Sequence, residues 1–499
     1  MTAAAHKHVS EEPVTSVLPG GDVPFAQDGH EFSADEEVLA ALGYKSEFKR
    51  EFSLFTTFCV SFAVLGLLPS FASTLYYGMG YAGTAVNYGT AAMILAAASI
   101  QNPSYVPEDY HTFLLTTFIM LIHGVMSSLP TKMLARVNTI GSTFNILALI
   151  VVLILIPAGT DRTDRGLPRF TPSSEVWGDI YAGTSFPPGI SVLMSFVAVI
   201  WTMSGYDSPF HLAEECSNAN IASPRAIVLT SAVGGTFGWF LQLIVAYTVV
   251  SIDDVLNSDL GQPFAAYLIQ CMPKKMVLAI LSLTIIAGFS MGQGCMIAAS
   301  RVTFAYARDD CFPGSKYWKR VNKTTLTPVN AVWFNCVIGI LSLLLIFGGS
   351  VSIGALFSIG AIAAFVAFTI PIFIRVFFVG DRFRAGPWNL GRLSLPIGAI
   401  ASGFVLLMVP ILCLPSVTGD DLTLDLMNWT SLVYGALMLM VLIWWFVSAR
   451  KWFKGPKVNV EHLMLGREPN VLEGTESEGE VGTQLTGVGS MDKKIAGEN

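Results

Sequence analysis

The sequence predicts an all-α polytopic membrane protein, and three observations carry that prediction. Hydrophobic residues make up 53% of the 499 and charged residues only 13%, with a mean hydropathy of +0.58. A soluble domain is about a quarter charged, so halving that share leaves too little polar surface for water. Apolar runs recur along the chain at about the 20 residues that a bilayer core demands. The basic residues then collect on one side of those runs. The net charge of −7 is spread over tails and loops, and no basic block that could track phosphates occurs. Nucleic acid is therefore not expected as a partner; the lipid bilayer is.

Residues 1–50 are polar and lack the apolar core of a cleaved signal peptide, so they read as a disordered cytoplasmic tail. A transmembrane domain spans 51–454, and 455–499 is a second disordered tail. Within the domain, runs at 52–77, 111–129, 137–157, 190–212 and 226–252 are long enough to cross. Five more follow at 276–304, 331–347, 353–378, 397–414 and 430–447. The stretch 85–100 has only sixteen residues, about 24 Å of helix. It reads as a stub near the outer face, re-entrant or interfacial, leaving the first long helix poorly supported. With ten crossings and the N-terminus inside, inner segments hold twenty Lys and Arg and outer segments five. The positive-inside rule thus puts both termini in the cytoplasm. The seven cysteines form no disulfide framework; Cys271 is the one thiol expected in an outer loop.

Two of the ten runs are interrupted at their middles. Gly66-Leu67-Leu68-Pro69-Ser70 lies inside 52–77, and Ser204-Gly205-Tyr206-Asp207-Ser208-Pro209 inside 190–212. Glycine tolerates unusual dihedrals and proline removes a donor, so three or four residues between them unwind a turn. Broken backbone at membrane depth persists where it lines a cavity or is buried in protein, and paired breaks point to a transporter's midplane site. Each break leaves a half-helix N-terminus with orphan N–H groups and partial positive charge. Ser208 is a natural cap with Pro209 as first helical residue, whereas Leu68 cannot cap. The N–H groups from Ser70 onward would then be free for an anion such as a carboxylate. The alternative is a pair of ordinary proline kinks.

Asp207 is the one carboxylate near the middle of a span, where charge costs about 2.5–3.5 kcal/mol. It reads either as a partner for a substrate ammonium or proton, or as an accessory cap of the half-helix. Trp201, Tyr206 and Phe210 could wall an amine through cation–π attraction. Gln293 is a polar candidate for a neighbouring wall. His123 reads as a packing residue before a proton relay, and Glu214 and Glu215 as solvated ends or gate partners. Metal clusters, phosphate loops and nucleophile–base pairs do not stand out. No cofactor and no enzyme activity are expected.

The stretch WTMSGYDSPFHLAEECSNANIASPRAI, residues 201–227, resembles the fungal amino acid/choline permeases, γ-aminobutyrate permease-like, of the amino acid–polyamine–organocation superfamily. Residues 63–84, 292–310, 327–335 and 347–359 are similar too, and the likeness covers roughly 43–453. The resemblance implies a five-plus-five inverted-repeat fold, a site between the two broken helices, and uptake driven by protons across the plasma membrane. By it, Gly66 to Ser70 form the first unwound segment and Ser204 to Ser208 the second. After Thr84 the chain departs from the family and lacks the second helix and most of the third, about fifty to sixty residues. The implied activity is proton-coupled import of γ-aminobutyrate or a related amino acid; choline, polyamines, or an inactive or sensing form are the alternatives.

Overall fold

The computed structural model describes residues 52–74, 82–180, 183–311, 314–348, 350–383, 385–415, 417–424 and 427–453. All of them belong to one compact unit, Glu47–Lys457; both expected tails lie outside the described residues. Among the described residues the chain is helical, with one isolated bridge between Phe52 and Cys216.

The first run is two helices, α1 (Leu54–Leu65) and α2 (Leu67–Thr74), followed by α3 (Ala82–Gln101), α4 (Asp109–Ser127) and α5 (Thr131–Gly159). A short α6 (Ser173–Gly178) precedes the second broken run, α7 (Pro188–Thr202) and α8 (Ser208–His211). Next come α9 (Ala219–Thr248), the short α10 (Ile252–Leu256) and α11 (Pro263–Cys271), and the 35-residue α12 (Lys274–Arg308). The chain closes with α13 (Ser315–Trp318), α14 (Val329–Leu343), α15 (Ser350–Ile374), α16 (Ser394–Leu412) and α17 (Thr430–Val447). Each of the ten apolar runs is thus helical. Among the described residues, nine segments are long and apolar enough to cross a membrane, and α7 is a shorter apolar helix.

Helix α12 is the axis of the domain, packing against α1 to α5 and α14. Its contacts fix directions. Lys274 Nζ, at its start, donates to the carbonyl of Gln101 (3.3 Å). Further along, Gly288 faces Thr90 and Pro69, Gly292 faces Asn87, and Gly294 faces Val64. Residue numbers on α1–α2 and on α3 fall as those on α12 rise. Both therefore run antiparallel to α12 and parallel to each other.

This corrects the stub. Helix α3 has 20 residues, about 30 Å, and it stands in the bundle with Asn87, Thr90, Met93 and Ala96 buried. Its low hydropathy reflects that position: a helix walled by protein needs small residues for close approach, not a lipid-facing side. Gln101 ends beside the start of α12, so α4 starts from the same end of the bundle as α12. The first broken helix is also well supported, with 83% of its most apolar 18-residue window buried. Among the described residues the loosely covered spans are Ile362–Val379 and Thr430–Lys451, where the share is 6%.

On the outer side, α11 is a buried lid. Gln262 caps it by accepting from the Ala265 N–H (2.9 Å) and donates to the carbonyl of Ala72 on α2 (3.2 Å). Cys271 is not an accessible loop thiol: it is buried and donates to the carbonyl of Tyr267 (3.4 Å). Burial pushes that thiol up to about 11.

Candidate functional site

The two breaks meet. Gly66 ends α1 in the left-handed region at φ +45°, and its N–H donates to the carbonyl of Phe62 (2.9 Å). A Cβ at Gly66 would overlap the side chain of Met291 on α12. At the second break Gly205 adopts φ +99°, and a Cβ there would come within 2.8–3.0 Å of Val64. Ser61 Oγ donates to the carbonyl of Tyr206 (3.2 Å). The turn from Met203 to Asp207 is thus pressed onto the end of α1, and both glycines are required twice over, by dihedral and by space.

The residues read as the first binding segment are all buried. The structure changes which amides can be free. Ser70 donates its N–H to Gly66 (2.9 Å) and its hydroxyl to the carbonyl of Leu65 (2.9 Å) and the sulphur of Met291 (3.4 Å). The donors therefore do not start at Ser70. The amides ahead of Pro69, those of Leu67 and Leu68, follow the left-handed residue directly.

In the second segment Ser204 Oγ bonds back to Ile200 (3.0 Å). Ser208 is not the cap: it is the first residue of α8, and its buried hydroxyl has no hydrogen-bond partner. Asp207 occupies the N-cap position without a side-chain cap bond, so the accessory-cap reading fails. Its Oδ2 lies 2.9 Å from His211 Nε2, one turn on, with both side chains about a quarter exposed. The i,i+4 spacing of acid and imidazole is the sequence signal for this pair.

The aromatic wall is only partly assembled. Trp201 is buried in an apolar cluster with Val60, Val64, Met291 and Cys295, its indole N–H unpartnered. Tyr206 is half-buried in the turn. Phe210 is 68% exposed and faces away from the breaks, because on so short a helix it lies on the side opposite Ser208. Gln293 is buried on α12, but its Nε2 donates to Ser127 Oγ on α4 (2.9 Å). It faces the scaffold rather than the cavity wall expected of it.

Inward of the second break, the two glutamates are paired. Glu215 accepts from Arg301 Nε (2.7 Å) with both side chains almost fully buried, and Glu214 accepts from Arg308 Nη1 (2.5 Å) near the surface. The chain before α1 joins the same place. Phe52 N–H donates to the carbonyl of Glu215 (3.0 Å), and Ser217 N–H to that of Phe52 (2.9 Å). The start of α1, the segment after α8 and the C-terminal end of α12 are thereby fastened together.

An amino acid permease family profile matches residues 52–443. An uncharacterised amino-acid permease of Schizosaccharomyces pombe is 49% identical, over 90% of this chain and 94% of its own. A Candida albicans protein provisionally named a polyamine transporter is 42% identical, over 96% and 99%. Amino-acid permease 2 of Neurospora crassa is 27% identical, over 84% and 89%. The alignment with the S. pombe permease runs over 518 residues but uses 90% of 499, about 449, so roughly 69 of its positions have no counterpart here.

Proposed function

The chain belongs to the amino acid permease family and is a transporter rather than an enzyme, and from that premise we propose that its cargo is γ-aminobutyrate or a related amino acid, imported with protons. The observation that carries this reading is the meeting of two broken helices in the buried interior, with Asp207 within the second break. A carboxylate would be held by the amides of Leu67 and Leu68, where the half-helix N-terminus concentrates partial positive charge. An ammonium would be held by Asp207, released from His211. With the Gly66–Met291 and Gly205–Val64 contacts in place the segments are in direct touch, so binding requires them to part by a few ångströms.

A polyamine cargo is the second reading, and the 42% identity to the Candida albicans protein favours it. Such a solute would use the Asp207 side and leave the first break's amides idle. On either reading the protein works in the plasma membrane, with the vacuolar or endoplasmic reticulum membrane as the alternatives, and keeps both termini inside. Uptake of radiolabelled γ-aminobutyrate, choline and putrescine in permease-deficient yeast tests both readings. Uptake of γ-aminobutyrate that putrescine does not compete supports the first; the reverse supports the second.

A further inference from the structure

Behind the first break lies a polar track that the breaks do not account for. Thr112, Thr116, His123 and Ser127 occupy one face of α4 and are all buried, a run of about 22 Å at helical rise. His123 is fully enclosed, and neither ring nitrogen makes a hydrogen bond of good geometry, although the backbone of Phe289 approaches the ring. The hydroxyl of Thr116 is equally unpartnered, as are both polar atoms of the enclosed Asn87 on α3. Asn87 and His123 converge on one point of α12: a Cβ at Gly292 would overlap Asn87 Oδ1 and come within 2.7 Å of His123 Cε1.

A buried polar atom without a partner is costly, and several together need a ligand to satisfy them. Water fits, since a site with two to four polar partners holds it. Titration then belongs to the imidazole. Of the elements packed against it, α3 brings Asn87 and Thr90, and α12 brings Phe289, whose ring lies 4.5 Å from the imidazole, and Gln293. Helix α14 brings Trp333 and the one titratable neighbour, Cys336, whose thiol donates to the carbonyl of Met120 (3.6 Å). Among the described residues, no charged side chain acts on the ring. The next residue on α12, Met291, is the one against Gly66.

We infer that His123 is a proton-binding residue of the transport cycle, served by water held beside Asn87. An imidazole nitrogen lone pair takes the proton, giving imidazolium, and returns it to water on release. In the closed, dry arrangement the ring is neutral, because an unpaired charge here has no compensating partner. Protonation therefore favours a wetter arrangement, and the Met291–Gly66 contact links that change to the first break. This rests on the reading of the chain as a proton-driven importer.

The test uses the full chain in lipid, with ¹⁵N-labelled histidine observed by solid-state NMR. One signal, missing in His123→Asn, should pass from neutral imidazole to imidazolium as the pH is lowered from about 8 to about 3. Asn87→Asp places a carboxylate beside the ring and should move that midpoint up by about one unit or more, which also identifies the signal if His123→Asn does not fold. A His123 signal neutral throughout, or unmoved in Asn87→Asp, overturns the inference. In proteoliposomes, acid-stimulated γ-aminobutyrate uptake of about tenfold should fall to about onefold in His123→Asn while exchange persists; unchanged stimulation overturns it too. If the unaltered chain carries none of γ-aminobutyrate, choline or putrescine, the proposed function falls and the NMR result alone decides His123.

Discussion

Consider removing Glu215 as Glu215→Ala. Arg301 is 4% exposed, and its Nε loses the acceptor 2.7 Å away. What remains is a bond from Nη1 to Ser300 Oγ (3.0 Å), while Nη2 already lacks a partner. Stranding one member of a buried ion pair costs about 3–5 kcal/mol, a large part of the about 5–15 kcal/mol that holds a typical domain folded. At about 1–2 °C per kcal/mol for a chain of this size, thermal unfolding in detergent should shift down by about 3–10 °C. Arg301→Ala should do much the same. The pair Glu215→Leu with Arg301→Met should recover most of the loss, because apolar replacement removes both desolvation penalties together. The cycle of single and double alanine variants gives the coupling directly, expected above about 2 kcal/mol. Additive losses with coupling below about 1 kcal/mol would refute the reasoning that the pair fastens the inner side.

Three further outcomes are expected. Asp207→Asn, which keeps shape but frees His211, should weaken uptake of an amine substrate about tenfold or more; uptake with unaltered affinity and pH dependence removes Asp207 from recognition. Gly66→Ala should destabilise by about 1–3 kcal/mol through its positive φ and the Met291 overlap, with partial rescue by Met291→Ala; absence of rescue in a melting assay would deny the contact. Cys271, its thiol pushed up to about 11 by burial, holds about a hundredfold less thiolate at neutral pH than an ordinary thiol. External maleimide should leave it unlabelled at pH 7 in intact cells, and prompt labelling would contradict the buried lid.

Hydropathy and charge are written locally, and so the ten runs, their order and both breaks were legible from Gly66–Pro69 and Gly205–Pro209. Partnership across the chain was not. Nothing near Glu215 announces Arg301, 86 residues on, or shows that Gln293 turns toward Ser127. The reading of 85–100 as a stub failed for a related reason. Hydropathy scores contact with lipid, and α3 is walled by α12, α4 and α2. The cap assignment at Ser208 missed by one residue because Ser and Asp are both good caps, and the local sequence does not say that Asp207 prefers His211.

The wrapping of α1–α2 by later helices sets a schedule for biosynthesis. Ser70 and Met291 are 221 residues apart. At about 5–20 residues per second, the ribosome needs roughly 10–45 s to deliver the second after the first. Through that interval the most enclosed helix of the finished protein waits in the bilayer with its glycine notch unfilled, exposed to quality-control proteases and to insertion chaperones. Substitutions at Gly66, Met291 or Gly292 should therefore be felt first as lost yield at the translocon, before any mature transporter exists to be assayed.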